Sequence, residues 1–296
     1  MPMNDVLTLP RVQLNDGHAM PQLGLGVWQI AEERLPDVVA AAIGAGYRSI
    51  DTAANYGNEA GVGRALRQSP VSRDALHVTT KLWNDDHGYD AALRACDASA
   101  ARLGLQVIDL YLIHWPCPQR KAYVDAWRAL VELRRQGRVR SIGVSNFTEE
   151  HLARIADATG ILPCVNQIEL HPHFQQRGLR EVHARYGIVT QAWSPLGRAG
   201  CLADPVLRGI ADRHGRTPAQ VVLRWHLENG CVAIPKSASP VRLAENIRVF
   251  DFALTAEDHA AIASLDRADG RLGPDPATFG RRPRLPPMLR RLLRRA

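Results

Sequence analysis

The chain has 296 residues, 46% apolar and 23% charged, with 37 Lys and Arg against 30 Asp and Glu, for a formal net charge of +7. That composition excludes a wholly disordered chain, and at this length about three quarters of the unfolded surface can be buried without disulfide staples. Seven Arg and no acid fall in residues 281–296, so residues 1–280 are formally neutral and the basicity argues against a nucleic-acid-binding body.

The five cysteines (Cys96, Cys117, Cys164, Cys201, Cys231) are odd in number and form no CxxC, which predicts reduced thiols in a cytoplasm. The start, MPMNDVLTLPRVQL, lacks a signal-peptide pattern. No apolar run reaches the roughly 18 residues of a membrane span, so no stable membrane insertion is expected.

Residues 7–21, LTLPRVQLNDGHAMP, predict a hairpin turning at Asn15-Asp16-Gly17. Eight short apolar runs follow, at 23–28, 47–53, 76–83, 108–115, 140–147, 165–170, 188–195 and 231–237. Helix-like stretches separate them, among them 36–46, 91–104, 122–137 and 148–160, several ending in Gly at the usual C′ position. Thr148 is a candidate N-cap without a strict capping box, because position 151 is His. Thr217-Pro218 opens another helix with Pro at N1.

Eight buried strands, each followed by a helical segment, predict a (β/α)8 TIM barrel with an N-terminal β-hairpin. The rival, an open doubly wound sheet, usually shows GxGxxG early; neither Gly24-Leu25-Gly26 nor Gly61-Val62-Gly63 completes it. A single domain over 1–280 and a basic tail over 281–296 are expected. The tail's PPMLRRLLRRA pairs apolar residues with Arg, but about ten residues are too few for a stable isolated helix, so a solvated tail is the reading.

Chemistry in such a barrel sits at the carboxyl ends of the strands. Asp51 ends the second run, Tyr56 follows it, Lys81 lies near the end of the third run and His114 near the end of the fourth. Alone, each has an ordinary structural role: a turn cap, a half-buried aromatic, a strand meeting water, a satisfied core histidine. Their agreement in position makes them a catalytic set. A phenol of pKa about 10 is a poor donor at neutral pH. A nearby ammonium lowers that pKa, a carboxylate holds the ammonium, and a histidine can orient a carbonyl.

At these residues the sequence resembles the aldo-keto reductase family, most closely its bacterial 2,5-diketo-D-gluconate reductase type. DTAANYGNE (51–59), LYLIHWP (110–116), GVSNF (143–147), NQIELHP (166–172), WSPLG (193–197) and IPKS (234–237) carry the likeness, which runs from about residue 9 to 279. The resemblance implies hydride transfer from NADPH to an aldehyde or ketone, with NADP+ as the oxidised form. Tyr56 would be the acid, Asp51 and Lys81 would tune it, and His114 would place the carbonyl. His rather than Glu at position 114 implies carbonyl rather than steroid double-bond reduction. Ser145, Asn146 and Gln167 would hold the nicotinamide amide, and Trp193 would stack on its ring where many relatives carry Tyr. Ser194, Pro195 and Leu196 would line the pyrophosphate, with Gly26, Val27 and Trp28 at the mouth. Lys236, Ser237 and Arg242 would grip the 2′-phosphate, and Glu245 and Asn246 would contact adenine. Trp28, Trp83, Trp115 and His114 would wall the substrate.

The resemblance thus implies a small carbonyl substrate such as an α-dicarbonyl or a keto-sugar, and a monomer is expected. Two rival functions remain at this point. A barrel hydrolase would use Glu169 and Asp51 as a carboxylate pair, or His171 and His173 for a metal, although no HExxH occurs and no metal is expected. A cofactor-sensing regulatory subunit would bind NADPH without turnover.

Overall fold

The structure is a computed structural model that describes residues 9–280. Strands β1 (Arg11–Gln13) and β2 (Ala19–Pro21) pair antiparallel as the predicted hairpin. Gly17 takes a left-handed φ of 89° in its turn, and Leu14 N–H donates to His18 O at 2.8 Å.

Eight parallel strands follow, one in each predicted apolar run: β3 (Leu25–Gly26), β4 (Ser49–Asp51), β5 (His77–Leu82), β6 (Ile108–Ile113), β7 (Val139–Ser145), β8 (Val165–Glu169), β9 (Val189–Trp193) and β10 (Val232–Ala233). They neighbour one another in chain order from β3 to β10. The ends meet through parallel bridges Leu23↔Ala233 and Gly26↔Lys236. Gly24 N–H donates to Ala233 O at 2.9 Å and Ala233 N–H to Gln22 O at 3.0 Å, so the barrel closes. A Cβ on Gly26 would stand 2.9 Å from Ile234 O, which is why the closing strand carries glycine there.

The outer layer is α1 (Leu35–Ala45), α2 (Glu59–Gln68), α3 (Tyr89–Leu103), α4 (Tyr123–Arg135), α5 (Glu149–Thr159), α6 (Arg177–Arg185), α7 (Pro205–His214), α8 (Pro218–Glu228), α9 (Pro240–Asn246) and α10 (Ala256–Ala263). Two helices, α7 and α8, separate β9 from β10, and two more follow β10, so the count exceeds one helix per strand. Helix α8 opens at Thr217-Pro218 as expected, with Gln220 completing its capping box. Helix α5 corrects the expectation at Thr148. His151 Nδ1 accepts from the Thr148 N–H at 3.2 Å, so an imidazole closes the box in place of Glu. Burial lowers the His151 pKa, which favours the neutral, accepting ring.

Leu14 and Met20 of the hairpin region pack with Leu110, Leu112, Val165 and Val232 inside the barrel. That plug covers the amino end of the strands and leaves the carboxyl end as the accessible mouth. The basic tail and the first eight residues lie outside the described residues.

Candidate active site

Asp51 is the last residue of β4 and Lys81 the penultimate residue of β5, so both arrive at the barrel mouth on rigid strands. Lys81 is fully buried and Asp51 is 2% exposed. The Lys81 ammonium uses its three donors on Asp51 Oδ1 at 2.5 Å, Thr52 O at 2.8 Å and Tyr56 Oη at 3.4 Å. Asp51 therefore does not cap its own turn. Tyr56 stands on a single 3-10 turn after β4, ended by Gly57 with φ 66°. Buried Asn58 steadies that turn by accepting from Thr52 Oγ1 and donating to the Val27 and Ile30 carbonyls.

His114 follows β6 with its ring edge-on to Tyr56 and Trp83, at centroid distances of 5.7 and 5.2 Å. Burial, helped by the Lys81 charge, drives its pKa well down and keeps it neutral. Its Nδ1 is buried without a partner.

One sign differs from the sequence reading. Burial raises the Tyr56 phenol above its ordinary value, and the pull of Lys81 in the other direction does not overcome it. Burial likewise raises Asp51, against the charge and hydrogen bond of Lys81. Burial alone would lower Lys81, but Asp51 and Tyr56 lift it, so the ammonium persists. The phenol is thus a protonated group beside a permanent cation.

Behind this set lies a second polar layer. Gln167 Nε2 donates to Asp51 Oδ2 at 2.7 Å and to Gln191 Oε1 at 2.8 Å. With both amide hydrogens committed, only its carbonyl can meet a ligand. Ser145 Oγ donates to Gln167 O, and Asn146 Nδ2 donates to Ser145 Oγ and His114 O. Trp193 Nε1 donates to Asn146 Oδ1 at 2.8 Å, a contact made by the indole itself. Buried His226 reaches Pro195 O from Nε2 at 3.0 Å, supporting the turn that begins at Ser194.

A cavity of about 230 Å³ opens over Tyr56 and His114, walled by Trp28, Trp83, Trp115 and Trp193, with Ser145, Asn146 and Gln167 at its polar side. Trp28, Ser194, Arg198 and Lys236 continue it into a groove of about 870 Å³. Pro195, Leu196, Ser237, Arg242, Glu245 and Asn246 line that groove. Gln29, Asn146, Ser194, Arg198 and Ala199, none of them glycine, take left-handed φ values along this mouth. Such strain gathers at ligand sites.

Residues 20–267 match the Aldo/keto reductase family. The chain belongs to that family. Over 270 residues it is 57% identical to an aldo-keto reductase of Mycolicibacterium smegmatis, covering 91% of this chain and 98% of that protein. It is 51% identical over 271 residues to methylglyoxal reductase DkgA of Escherichia coli, with coverage of 91% and 98%. An NADPH complex of a Gox0644 variant matches with a TM-score of 0.89 at 55% identity, covering 92% of this chain and 98% of that one. The chain is accordingly an oxidoreductase.

In this reductase Val27 departs from its expected place. Its side chain is fully buried in the core rather than lining the mouth, and its backbone serves Asp51 O and Asn58 Nδ2. Glu169 is committed to His171 Nε2 and to the Leu272 and Gly273 N–H groups, which leaves it no role as a hydrolytic carboxylate. Among the described residues no three His, Cys, Asp or Glu side chains are grouped to hold a metal. Sequence reasoning missed Asn58, Gln191, Arg198, Ile234 and Pro274. Asn58 lies in DTAANYGNE, Ile234 in IPKS, Gln191 in the run 188–195 and Arg198 beside WSPLG, so each carried a local signal; Pro274 reaches the site through contacts that spacing does not encode.

Proposed function

We propose that this reductase uses NADPH to reduce small aldehydes and ketones, α-dicarbonyls and keto-sugars such as 2,5-diketo-D-gluconate, with Tyr56 as the proton donor. The observation that carries this is the Tyr56 phenol, held 3.4 Å from a buried ammonium at the floor of a cavity continuous with a cationic groove.

The groove fits the cofactor. Lys236 and Arg242 are exposed, and no acidic side chain pairs with either among the described residues. With Ser237 they offer two cations and a hydroxyl to one dianion, the donor set a 2′-phosphate calls for. Ser194, Pro195 and Leu196 would flank the pyrophosphate and Trp193 the nicotinamide, while Glu245 and Asn246 would meet adenine. Bound NADPH would supply the hydride.

The chain's own residues do the rest. Neutral His114 has an N–H without a protein acceptor and offers it to a carbonyl oxygen, placing that oxygen beside Tyr56. As negative charge develops on the oxygen, the phenol gives up its proton. The Lys81 ammonium stabilises the phenolate left behind, in a site where burial strengthens the attraction. Asp51 keeps the ammonium charged and aimed.

A cavity of about 230 Å³ lies below the roughly 300–1,000 Å³ usual for drug-sized ligands. That size favours small substrates, and the methylglyoxal reductase relative points the same way. Five free, buried cysteines fit a reducing cytoplasm. Among the described residues no helix is long and apolar enough to cross a membrane. The reading is a monomer acting on free small molecules, with no nucleic-acid partner and no stable membrane insertion.

Tyr56→Phe removes one oxygen and little volume. With methylglyoxal as substrate, kcat should fall by about 10²–10⁴-fold while NADPH binding, followed by Trp fluorescence, stays within about twofold. A variant retaining more than about a tenth of wild-type kcat, with chemistry rate-limiting, removes Tyr56 as the acid.

A further inference from the structure

Glu169 ends β8 as a buried charge that the proton-transfer set does not use, being only 1% exposed. Its Oε1 accepts from His171 Nε2 at 3.0 Å and from the Leu272 N–H at 2.6 Å, and its Oε2 accepts from the Gly273 N–H at 2.8 Å. Two of these donors lie 103 and 104 residues further along the chain. A Cβ on Gly273 would stand 2.5 Å from Trp193 Cη2 and 2.9 Å from Glu169 Oε2, so this backbone is pressed against both. The next residue, Pro274, lines the catalytic cavity. Further on, Phe279 packs on the cavity residue Trp115 at 4.4 Å between centroids.

We propose that Glu169 is a positioning residue for substrate specificity: its carboxylate pins the Leu272–Gly273 backbone so that Pro274 walls the carbonyl-binding cavity. The proposal rests on the reading above for what the cavity holds. Three N–H groups converge on two oxygens, which suits an ionised carboxylate and gives charge-assisted bonds. Glutamine in its place has one oxygen to accept with, and its NH₂ would confront a backbone donor. Burial raises the Glu169 pKa, but the three donors more than offset it and hold the group ionised. The segment keeps other anchors without Glu169. Arg267 N–H donates to His173 O at 3.1 Å, and the Arg271 guanidinium lies 4.6 Å from the Phe174 ring centroid. Loosening therefore centres on the stretch that carries Pro274.

The test uses the full chain with two variants. Glu169→Gln removes the charge. Gly273→Ala keeps the charge but forces a methyl between Trp193 and Glu169. In the apoprotein, hydrogen–deuterium exchange at the Leu272 and Gly273 amides should rise at least tenfold in Glu169→Gln. In both variants the ratio of kcat/KM for methylglyoxal over benzaldehyde should fall at least fivefold, mainly through KM, and in Glu169→Gln, which leaves Trp193 untouched, the Kd for NADPH should stay within twofold. Unchanged exchange in a folded Glu169→Gln overturns the proposal. So does an unchanged ratio in Gly273→Ala, which still reports if Glu169→Gln fails to fold. Wild type that oxidises no NADPH with any carbonyl defeats the functional reading instead, while the exchange measurement still tests the pin.

Discussion

Replacing Lys81 with Met separates the two roles of the buried ammonium. Lys81 is fully buried and meets Asp51 at 2.5 Å, so the variant leaves an uncompensated carboxylate that is only 2% exposed. Breaking such a pair by removing one partner costs about 3–5 kcal/mol. At roughly 2–4 °C per kcal/mol for a chain of this class, Tm should fall by about 6–20 °C. Adding Asp51→Asn removes the stranded charge and should recover most of that loss. Catalysis should not recover with it. At the 3.4 Å separation of Nζ and Tyr56 Oη, with an effective dielectric near 20, the ammonium–phenolate attraction is roughly 5 kcal/mol, an upper bound on its kinetic effect. A fall in kcat of about 10²–10³-fold is therefore expected in both the single and the double variant. Thermal unfolding and NADPH oxidation with one good aldehyde, run side by side, decide the matter. If Lys81→Met keeps more than about a tenth of wild-type kcat with chemistry rate-limiting, or if Asp51→Asn restores the rate, the ammonium does not support the proton donor.

Other outcomes follow from the same geometry. Arg242→Ala should weaken NADPH binding by about 1–3 kcal/mol and barely change NADH, as expected for a charge-assisted contact to the 2′-phosphate. Equal losses for both coenzymes would place Arg242 elsewhere. Burial lowers the His77 pKa to about 4, so between that value and the unfolded value near 6.5 the unfolded chain binds the extra proton. The stability held above the unfolded pKa is then lost on acidification, about 2 kcal/mol by pH 5 from this residue alone. Buried His183, lowered to about 4, and His226, lowered to about 3, act in the same direction. Tm should therefore decline steadily from pH 7 to pH 5, and a flat profile would contradict the burial argument. Truncation after Gly280 should leave kcat/KM within roughly twofold; a loss of tenfold or more, about 1.4 kcal/mol, would show that the tail closes the site.

The barrel was legible in the chain because strands of a parallel barrel are buried on both faces and read as continuous apolar runs. Seven of the eight strands fall inside such runs, and β7 starts one residue ahead of its own. The site residues were legible for a related reason: Asp51, Lys81 and His114 are polar groups at the ends of those runs, where barrel chemistry gathers. The tertiary structure decided what depends on burial and on contacts far apart in sequence. Spacing placed an ammonium beside the Tyr56 phenol and implied a lowered pKa, whereas desolvation, set by the whole surrounding fold, outweighed it and turned the shift upward. Val27 lies within a mouth motif, yet the closing of the barrel turns its side chain into the core. His151 could complete a capping box only because the fold keeps its ring buried and accepting. Glu169 left a rival hydrolytic reading open until its partners, 103 and 104 residues away, were folded onto it. Local pattern records which groups reach the barrel mouth; the packed structure determines how far each is desolvated and which partners it meets, and hence which carry charge.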